Sequence, residues 1–248
     1  LFFLKKKYYI CHMKKEIIGA IGDTHGRSKW KEIIKNPQVT KWVFIGDYFD
    51  DKNGGYSANR QIKNFKEIVE FKKANPDKVI LLVGNHDFHY LKGVNEHYSS
   101  YQFGYAKNIN RVLQPVVDEG LLQICHQEDK YFFSHAGLTK TWCKNCGIDI
   151  NNLQESVNDL FKTDITKFRF TMGGNLSFGG NDVTQPPIWV RPQSLVKDMV
   201  DGIVCVVGHT QVKEVTVLND DNLILIDCLG TTDEYLIIEN NVIKIGKI

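Results

Sequence analysis

The chain has 248 residues, 42% of them hydrophobic and 24% charged, with 31 Lys and Arg against 29 Asp and Glu. This is the composition of a soluble globular protein that can bury the core of one α/β domain, and no apolar run approaches the ~20 residues of a membrane helix. Lys5, Lys6 and Lys7 fall within residues 1–12; without them the balance is 28 against 29, so the basic excess makes no case for nucleic acid.

Residues 1–12 start without Met and lack the long apolar stretch and small-residue cleavage site of a signal peptide. Met13 directly precedes the first strand, so residues 1–12 read as a tail or upstream translation and 13–248 as a single domain. The cytoplasm is the expected compartment. Glu16–Gly22 is short, apolar and ends in Gly-Asp, as a buried strand feeding a loop should. A helix over Ser28–Lys35, ended by Pro37, leads to a second strand at Lys41–Gly46 and a loop at Asp50–Tyr56. Ile62, Phe65, Ile68, Val69 and Phe71 recur at near-helical spacing and predict an amphipathic helix over Ala58–Ala74. Lys78–Gly84 is a third buried strand.

Strand, loop, helix, strand, loop, helix, strand is the order of right-handed βαβ units, which bring their loops to one edge of a parallel sheet. Ligands of open α/β sheets bind at that edge. Further along, Tyr105–Glu119 reads as a helix limited by Pro115, Leu121–His126 and Tyr131–His135 as two strands, and Asn152–Phe161 as a helix. Thr163–Pro187, rich in Gly and Asn, reads as a mobile surface segment. Four strands are expected at the end, over Ile203–Gly208, Val212–Leu218, Asn222–Asp227 and Glu234–Glu239. The expected fold class is α/β, with two packed sheets flanked by helices.

Six cysteines are present. Cys205 and Cys228 lie in apolar strand-like runs and read as buried thiols. Cys143 and Cys146 form a single C-x-x-C with no second pair to complete a zinc ribbon, so they too read as reduced structural residues.

The chemistry is carried by short polar motifs, each after an apolar run: Gly22-Asp23-Thr24-His25-Gly26, Gly46-Asp47-Tyr48-Phe49-Asp50, Gly84-Asn85-His86-Asp87, Ser134-His135-Ala136-Gly137 and Gly208-His209-Thr210. Together they supply carboxylates, imidazoles and one amide, the ligand types that two adjacent divalent metals need. Each pair of residues alone has a plainer explanation, since Asp23 could cap a helix and Asp47 and Asp50 could make turns. The joint occurrence, in order and at strand ends, decides for chemistry.

This ordered set resembles the calcineurin-like metallophosphoesterases, and especially their phosphoprotein-phosphatase branch, from Asp23 to about Leu236. The resemblance implies a four-layer α-β-β-α sandwich of two mixed sheets. It implies two divalent cations, manganese first, with iron or zinc as alternatives. Asp23 and His25 would hold the first cation, Asp47 would bridge, and Asn85, His135 and His209 would complete the second. Water shared by the metals would be the nucleophile. His86 would give the leaving oxygen its proton and Asp50 would orient His86, making the catalytic pair. Arg191, in Trp189-Val190-Arg191-Pro192, resembles the arginine that clamps phosphate oxygens in bacterial and phage members. Asp227, late in the chain, takes a structural role; His89 packs beside the site, and His97 and His126 belong to surface or structure.

Two departures bear on substrate. Where the phosphatase branch continues with Arg-Gly after the second Asp, this chain has Asp51 and Lys52, with Lys52, Arg27 or Arg60 available to compensate. Gln211 stands where many exonucleases and cyclic-nucleotide phosphodiesterases of the superfamily carry a second histidine, which favours a phosphatase over a nuclease. The expected activity is hydrolysis of a phosphomonoester on a protein or small molecule. A dinucleoside polyphosphate hydrolase of the diadenosine tetraphosphate type is the rival enzyme, and a non-catalytic scaffold the rival from another class. Neither a membrane nor nucleic acid is an expected partner.

Overall fold

The computed structural model describes residues 16–52, 54–170 and 178–248. The tail expected over residues 1–12 lies outside the described residues, as do residues 171–177 of the Gly- and Asn-rich segment. Strand β1 (Ile17–Ile21) leads through the first polar motif to the short helix α1 (Trp30–Ile33). β2 (Lys41–Phe44), α2 (Ala58–Ala74) and β3 (Val79–Leu82) follow as the apolar spacing predicts. Ser57 caps α2 by accepting the backbone N–H of Arg60. A single helical turn, α3 (Asn85–Phe88), then precedes α4 (Ala106–Asp118) and β4 (Leu122–Gln123). The second half runs β5 (Cys125–Glu128), β6 (Tyr131–Ser134), α5 (Lys140–Cys146), α6 (Leu153–Thr163), α7 (Pro192–Asp198), β7 (Val204–Val207), β8 (Thr216–Leu218), β9 (Leu223–Leu225), β10 (Glu234–Glu239) and β11 (Val242–Lys247).

One sheet has the order β11-β10-β1-β2-β3-β4 and the other β5-β6-β7-β9-β8. In the first, β1, β2, β3 and β4 are parallel and β10 pairs antiparallel with both β1 and β11; in the second, β6, β7 and β9 are parallel and β5 and β8 antiparallel. Strand alternation explains how the layers stack. Ile18, Ala20, Val43, Ile45 and Leu82 meet Phe133, Val204, Val206, Ile224 and Ile226 between the sheets. Their neighbours Ile21, Trp42, Phe44 and Leu81 face the other way, into a core with Trp30, Phe65, Ile68, Ile109 and Leu113 from the helices. Both faces of these strands are buried, hence their continuous apolar runs.

Several elements differ from the sequence-based expectation. The run Leu121–His126 is not one strand; it breaks at Ile124, with β4 in the first sheet and β5 in the second. Asn158 makes the break tolerable: its Oδ1 accepts the N–H groups of Ile124 (2.9 Å) and Cys125 (3.2 Å), and its Nδ2 donates to the Cys125 carbonyl (2.9 Å). Pro115 lies inside α4, on its exposed side, where water can serve the carbonyl that proline leaves unpaired. Segment 163–187 is not all surface, since Ile165–Phe168 forms a 3-10 turn with Phe168 fully buried. Helices α3, α5 and α7 and strand β11 carry no apolar periodicity that would have announced them. No helix among the described residues is long and apolar enough to cross a membrane.

Candidate active site

The polar motifs leave the C-terminal ends of β1, β2, β3, β6 and β7, so the two sheets bring them to one edge. Four of these residues hold left-handed backbone although none is glycine: His25 (φ 44°), Asp47 (φ 53°), Asp50 (φ 62°) and His209 (φ 62°). Such conformations cost about 1–3 kcal/mol each and persist where the surroundings fix them. Here backbone N–H groups do so. His25 donates to the Asp47 carbonyl (2.8 Å), Asp47 to Asp87 Oδ2 (2.8 Å), and His209 to Asp23 Oδ2 (3.1 Å). Asp87 also accepts from Tyr48 (2.8 Å) and Gly84 (2.9 Å), locking the loop after β2 to the loop after β3.

The histidine rings are oriented from behind by carbonyl oxygens, which fixes where their protons sit. His25 Nδ1 lies 2.6 Å from the Phe49 carbonyl, His135 Nδ1 3.0 Å from the Ile45 carbonyl and His209 Nε2 3.0 Å from the Trp189 carbonyl. A carbonyl can only accept, so each of those nitrogens carries a hydrogen, and in a neutral ring the opposite nitrogen offers a lone pair. These inward nitrogens converge with other acceptors. Asn85 Oδ1 is 2.9 Å from both His135 Nε2 and His209 Nδ1. Asp47 Oδ2 is 3.4 Å from His135 Nε2 and 3.8 Å from His25 Nε2, and His25 Nε2 is 3.9 Å from Asp23 Oδ2. Lone pairs facing lone pairs without a proton between them repel, and a cation is what reconciles them.

The charges agree. Asp23, His25, Asp47, Asn85, His135 and His209 are all buried. Burial pushes His25 down to about 4, so its ring is neutral at pH 7, and holds His209 well below the usual histidine range. Asp23 is pushed up by burial and by the charges of Asp227 and Asp47; Asp227 is pushed up to about 6 by burial and by Asp47. Burial would raise Asp47 as well, but the charges of His135 and His86 hold it well below the usual carboxylate range, so it carries the cluster's negative charge, which divalent cations would offset. The donor set of carboxylate, imidazole and amide oxygen suits a borderline divalent cation.

A sequence model of the calcineurin-like phosphoesterase family matches residues 17–213. The chain belongs to this family. No curated protein matches it by sequence. Among solved structures it is similar to a cold-active protein-tyrosine phosphatase of a psychrophilic Shewanella (18% identity, TM-score 0.60, covering 94% of this chain and 78% of that one). It is also similar to a protein serine/threonine phosphatase from Saccharomyces cerevisiae (12%, TM-score 0.59, 95% and 81%). A candidate diadenosine tetraphosphatase has 13% identity and a TM-score of 0.54, with 95% of each chain covered. At these identities the likeness is one of fold.

The family uses divalent metals, and in this chain His86 and Arg191 stand beside the carboxylate cluster. His86 Nδ1 is 3.1 Å from Asp50 Oδ2, and its ring lies edge-on to His25 with centroids 5.7 Å apart. The backbone N–H of His86 donates to Asp47 Oδ1 (2.8 Å), tying the two loops together. Arg191 is anchored through Nε to the Gly179 carbonyl (2.6 Å) and through Nη1 to the His209 carbonyl (3.2 Å) and Thr210 Oγ1 (3.1 Å), with its charge against Asp47 and Asp23. Of the three cations that stand near the Asp51-Lys52 departure, Lys52 bears on Asp23 and Arg27 on Asp227. Arg60 is turned onto Tyr56, 4.0 Å from its ring centre.

The remaining residues fall as follows. Cys125, Cys143, Cys146, Cys205 and Cys228 are free thiols, and burial pushes Cys143 up to about 12 and raises Cys146 as well, the opposite of a redox-active pair. His126 is buried on β5 beside Glu128, and the exposed His97 packs at a tilt against Tyr101. Sequence reasoning missed Asp87, whose place at the third position of α3 was the available signal, and missed Tyr90 and Gln102, which contact Asp50 and belong to no motif.

The glycines before two of the motifs have a steric reason. A Cβ on Gly84 would lie 2.1 Å from Asp47 Oδ1, and one on Gly208 would lie 2.0 Å from Asp23 Oδ1. Gly84→Ala is therefore expected to displace the Asp47 carboxylate and to weaken metal retention at least 10-fold. Manganese affinity measured by calorimetry checks this; wild-type affinity in Gly84→Ala would contradict it.

Proposed function

We propose that the chain is a metal-dependent phosphatase acting on phosphomonoesters of proteins or small molecules, with manganese as the preferred cation. The observation that carries the reading is the convergence of Asn85 Oδ1 with the inward ring nitrogens of His135 and His209, beside Asp47, whose Oδ2 faces both His135 and His25. Asp23, His25 and Asp47 would hold one cation; Asp47, Asn85, His135 and His209 would hold the other. When bound, two divalent cations polarise the phosphoryl group and activate water for in-line attack.

The chain's own groups supply the rest. Arg191, held at Nε and Nη1, leaves Nη2 free to donate to a phosphate oxygen, with charge from Lys52 and Arg27 nearby. His86 uses Nδ1 for Asp50, so its Nε2 faces away from that carboxylate as the proton donor to the leaving oxygen. Asp50 keeps its charge: burial alone would raise it, but hydrogen bonds from His86 and His89 hold it below the usual carboxylate range. It is a positioning residue and does not take the proton.

For Arg191→Ala, KM for p-nitrophenyl phosphate is expected to rise about 10-fold with a smaller change in kcat, because the residue mainly binds ground-state phosphate. An unchanged KM would remove Arg191 from the site. A phosphoserine peptide and diadenosine tetraphosphate, assayed side by side, separate the monoesterase from the polyphosphate hydrolase: faster cleavage of the dinucleotide would overturn the monoester reading.

A further inference from the structure

The Asp50 carboxylate has more partners than the orientation of His86 requires. Oδ2 receives His86 Nδ1 at 3.1 Å, and His89 Nε2 stands 2.6 Å away. Oδ1 accepts the Tyr90 hydroxyl at 2.5 Å and Gln102 Nε2 at 2.9 Å. The loop between α3 and α4 aims these donors. The Gln102 backbone N–H donates to the Tyr90 hydroxyl oxygen (2.9 Å), which leaves the Tyr90 proton for Asp50. The Tyr98 N–H donates to His89 Nδ1 (3.3 Å), so the ring proton of His89 is on Nε2, the side facing Asp50. With its Nε2 protonated and Nδ1 occupied, His89 has no lone pair to give a cation, although Asp50, His86 and His89 lie close enough together to suggest a metal group.

The network closes on itself. Gln102 Nε2 also donates to Gln61 Oε1 (2.9 Å), the same oxygen that accepts the Asp50 N–H (2.9 Å). Gln61, buried on α2, is in turn held by the Tyr56 carbonyl (2.7 Å). Both the backbone and one carboxylate oxygen of Asp50 are thus fixed by Gln61, Tyr90 and Gln102. That matters because Asp50 has left-handed backbone, a conformation its own sequence does not favour.

We propose that Tyr90 and Gln102 are positioning residues for the proton donor, clamping Asp50 Oδ1 so that Oδ2 holds His86 in the orientation that protonates poor leaving groups. The proposal rests on the monoesterase reading for its kinetic consequence and on geometry alone for the clamp. Its signature is selective loss. A leaving group that is already a weak base needs little help from His86, whereas phenolate, with a conjugate-acid pKa near tyrosine's value of about 10, needs it.

The test compares Tyr90→Phe with wild type, both loaded with manganese, on phenyl phosphate and p-nitrophenyl phosphate. Turnover of phenyl phosphate is expected to fall about 10-fold, that of p-nitrophenyl phosphate no more than about twofold, with manganese content unchanged. Gln102→Leu, a change at a half-buried side chain, should reproduce the pattern and guards against a folding defect in the first variant. Equal losses on both substrates, or none on phenyl phosphate, overturn the proposal. The His86 Nδ1–H resonance in a ¹H–¹⁵N spectrum of the zinc-loaded, diamagnetic protein gives a readout independent of turnover. It should move in both variants; an unmoved signal overturns the clamp. If wild type cleaves neither monoester, the monoesterase reading fails by itself, and the spectrum still decides for or against the clamp.

Discussion

Asp47→Asn is expected to abolish turnover while leaving the fold intact. Asp47 is the residue whose Oδ2 faces both His25 Nε2 at 3.8 Å and His135 Nε2 at 3.4 Å, so it is common to both proposed cation sites. Exchanging its charge for an amide removes the negative charge that offsets repulsion between two divalent ions ~3.5–4 Å apart. A loss of at least about 10³-fold in kcat, on the order of 4 kcal/mol, is expected together with loss of bound metal. The fold should survive because Asn keeps both of the position's local bonds: its N–H still reaches Asp87, and its side-chain oxygen still accepts from His86 N–H. In chelator the substitution relieves the repulsion that raises Asp23, Asp87 and Asp227 but gives up the attraction of His135, His86 and His25 that holds Asp47 low, so only a small change in melting temperature is expected. Metal content by elemental analysis and a thermal melt in chelator check both halves; full metal occupancy in Asp47→Asn would refute the bridging role.

His86→Ala should behave in the opposite way, keeping the metals and losing the proton. Its side chain reaches Asp50 rather than the Asn85, His135 and His209 cluster, so truncation removes no proposed ligand. Turnover of a substrate with a poor leaving group should fall ~10²–10⁴-fold, the usual contribution of a positioned general acid. The decrease should shrink as the leaving group becomes less basic. Equal manganese content with an undiminished rate on an alkyl phosphate would remove His86 from the mechanism.

How much of this could be read from the sequence depends on whether a residue's neighbours are local. β1, β2, β3 and α2 were legible because each is buried by its own apolar period, and the motifs after them were placed by simple βαβ geometry. The motifs holding Asp23, His25, Asp47, Asn85, His135 and His209 were legible because each follows an apolar run, and the family resemblance singled out these six; the structure places them together at one edge of the sheets. The break at Ile124 was not legible, because Asn158 on α6, far along the chain, satisfies the backbone there. Helices α5 and α7 were missed for a related reason. α5 is defined by its ends, the Thr139 cap and Gly147 in left-handed conformation, and α7 by Pro192 in its first turn, rather than by an apolar stripe. The partners of Asp50 were illegible for the strongest reason: Tyr90 and Gln102 acquire their role only when the loop between α3 and α4 folds back over α2.

The most direct test of the central claim is hydrolysis of p-nitrophenyl phosphate and bis(p-nitrophenyl) phosphate by the wild-type chain, after chelation and after manganese is restored. A metal-dependent phosphomonoesterase should be silent in chelator and recover with manganese, and should cleave the monoester in preference to the diester. Preference for the diester would contradict the monoester assignment, and no activity on either despite bound manganese would contradict the phosphatase reading itself.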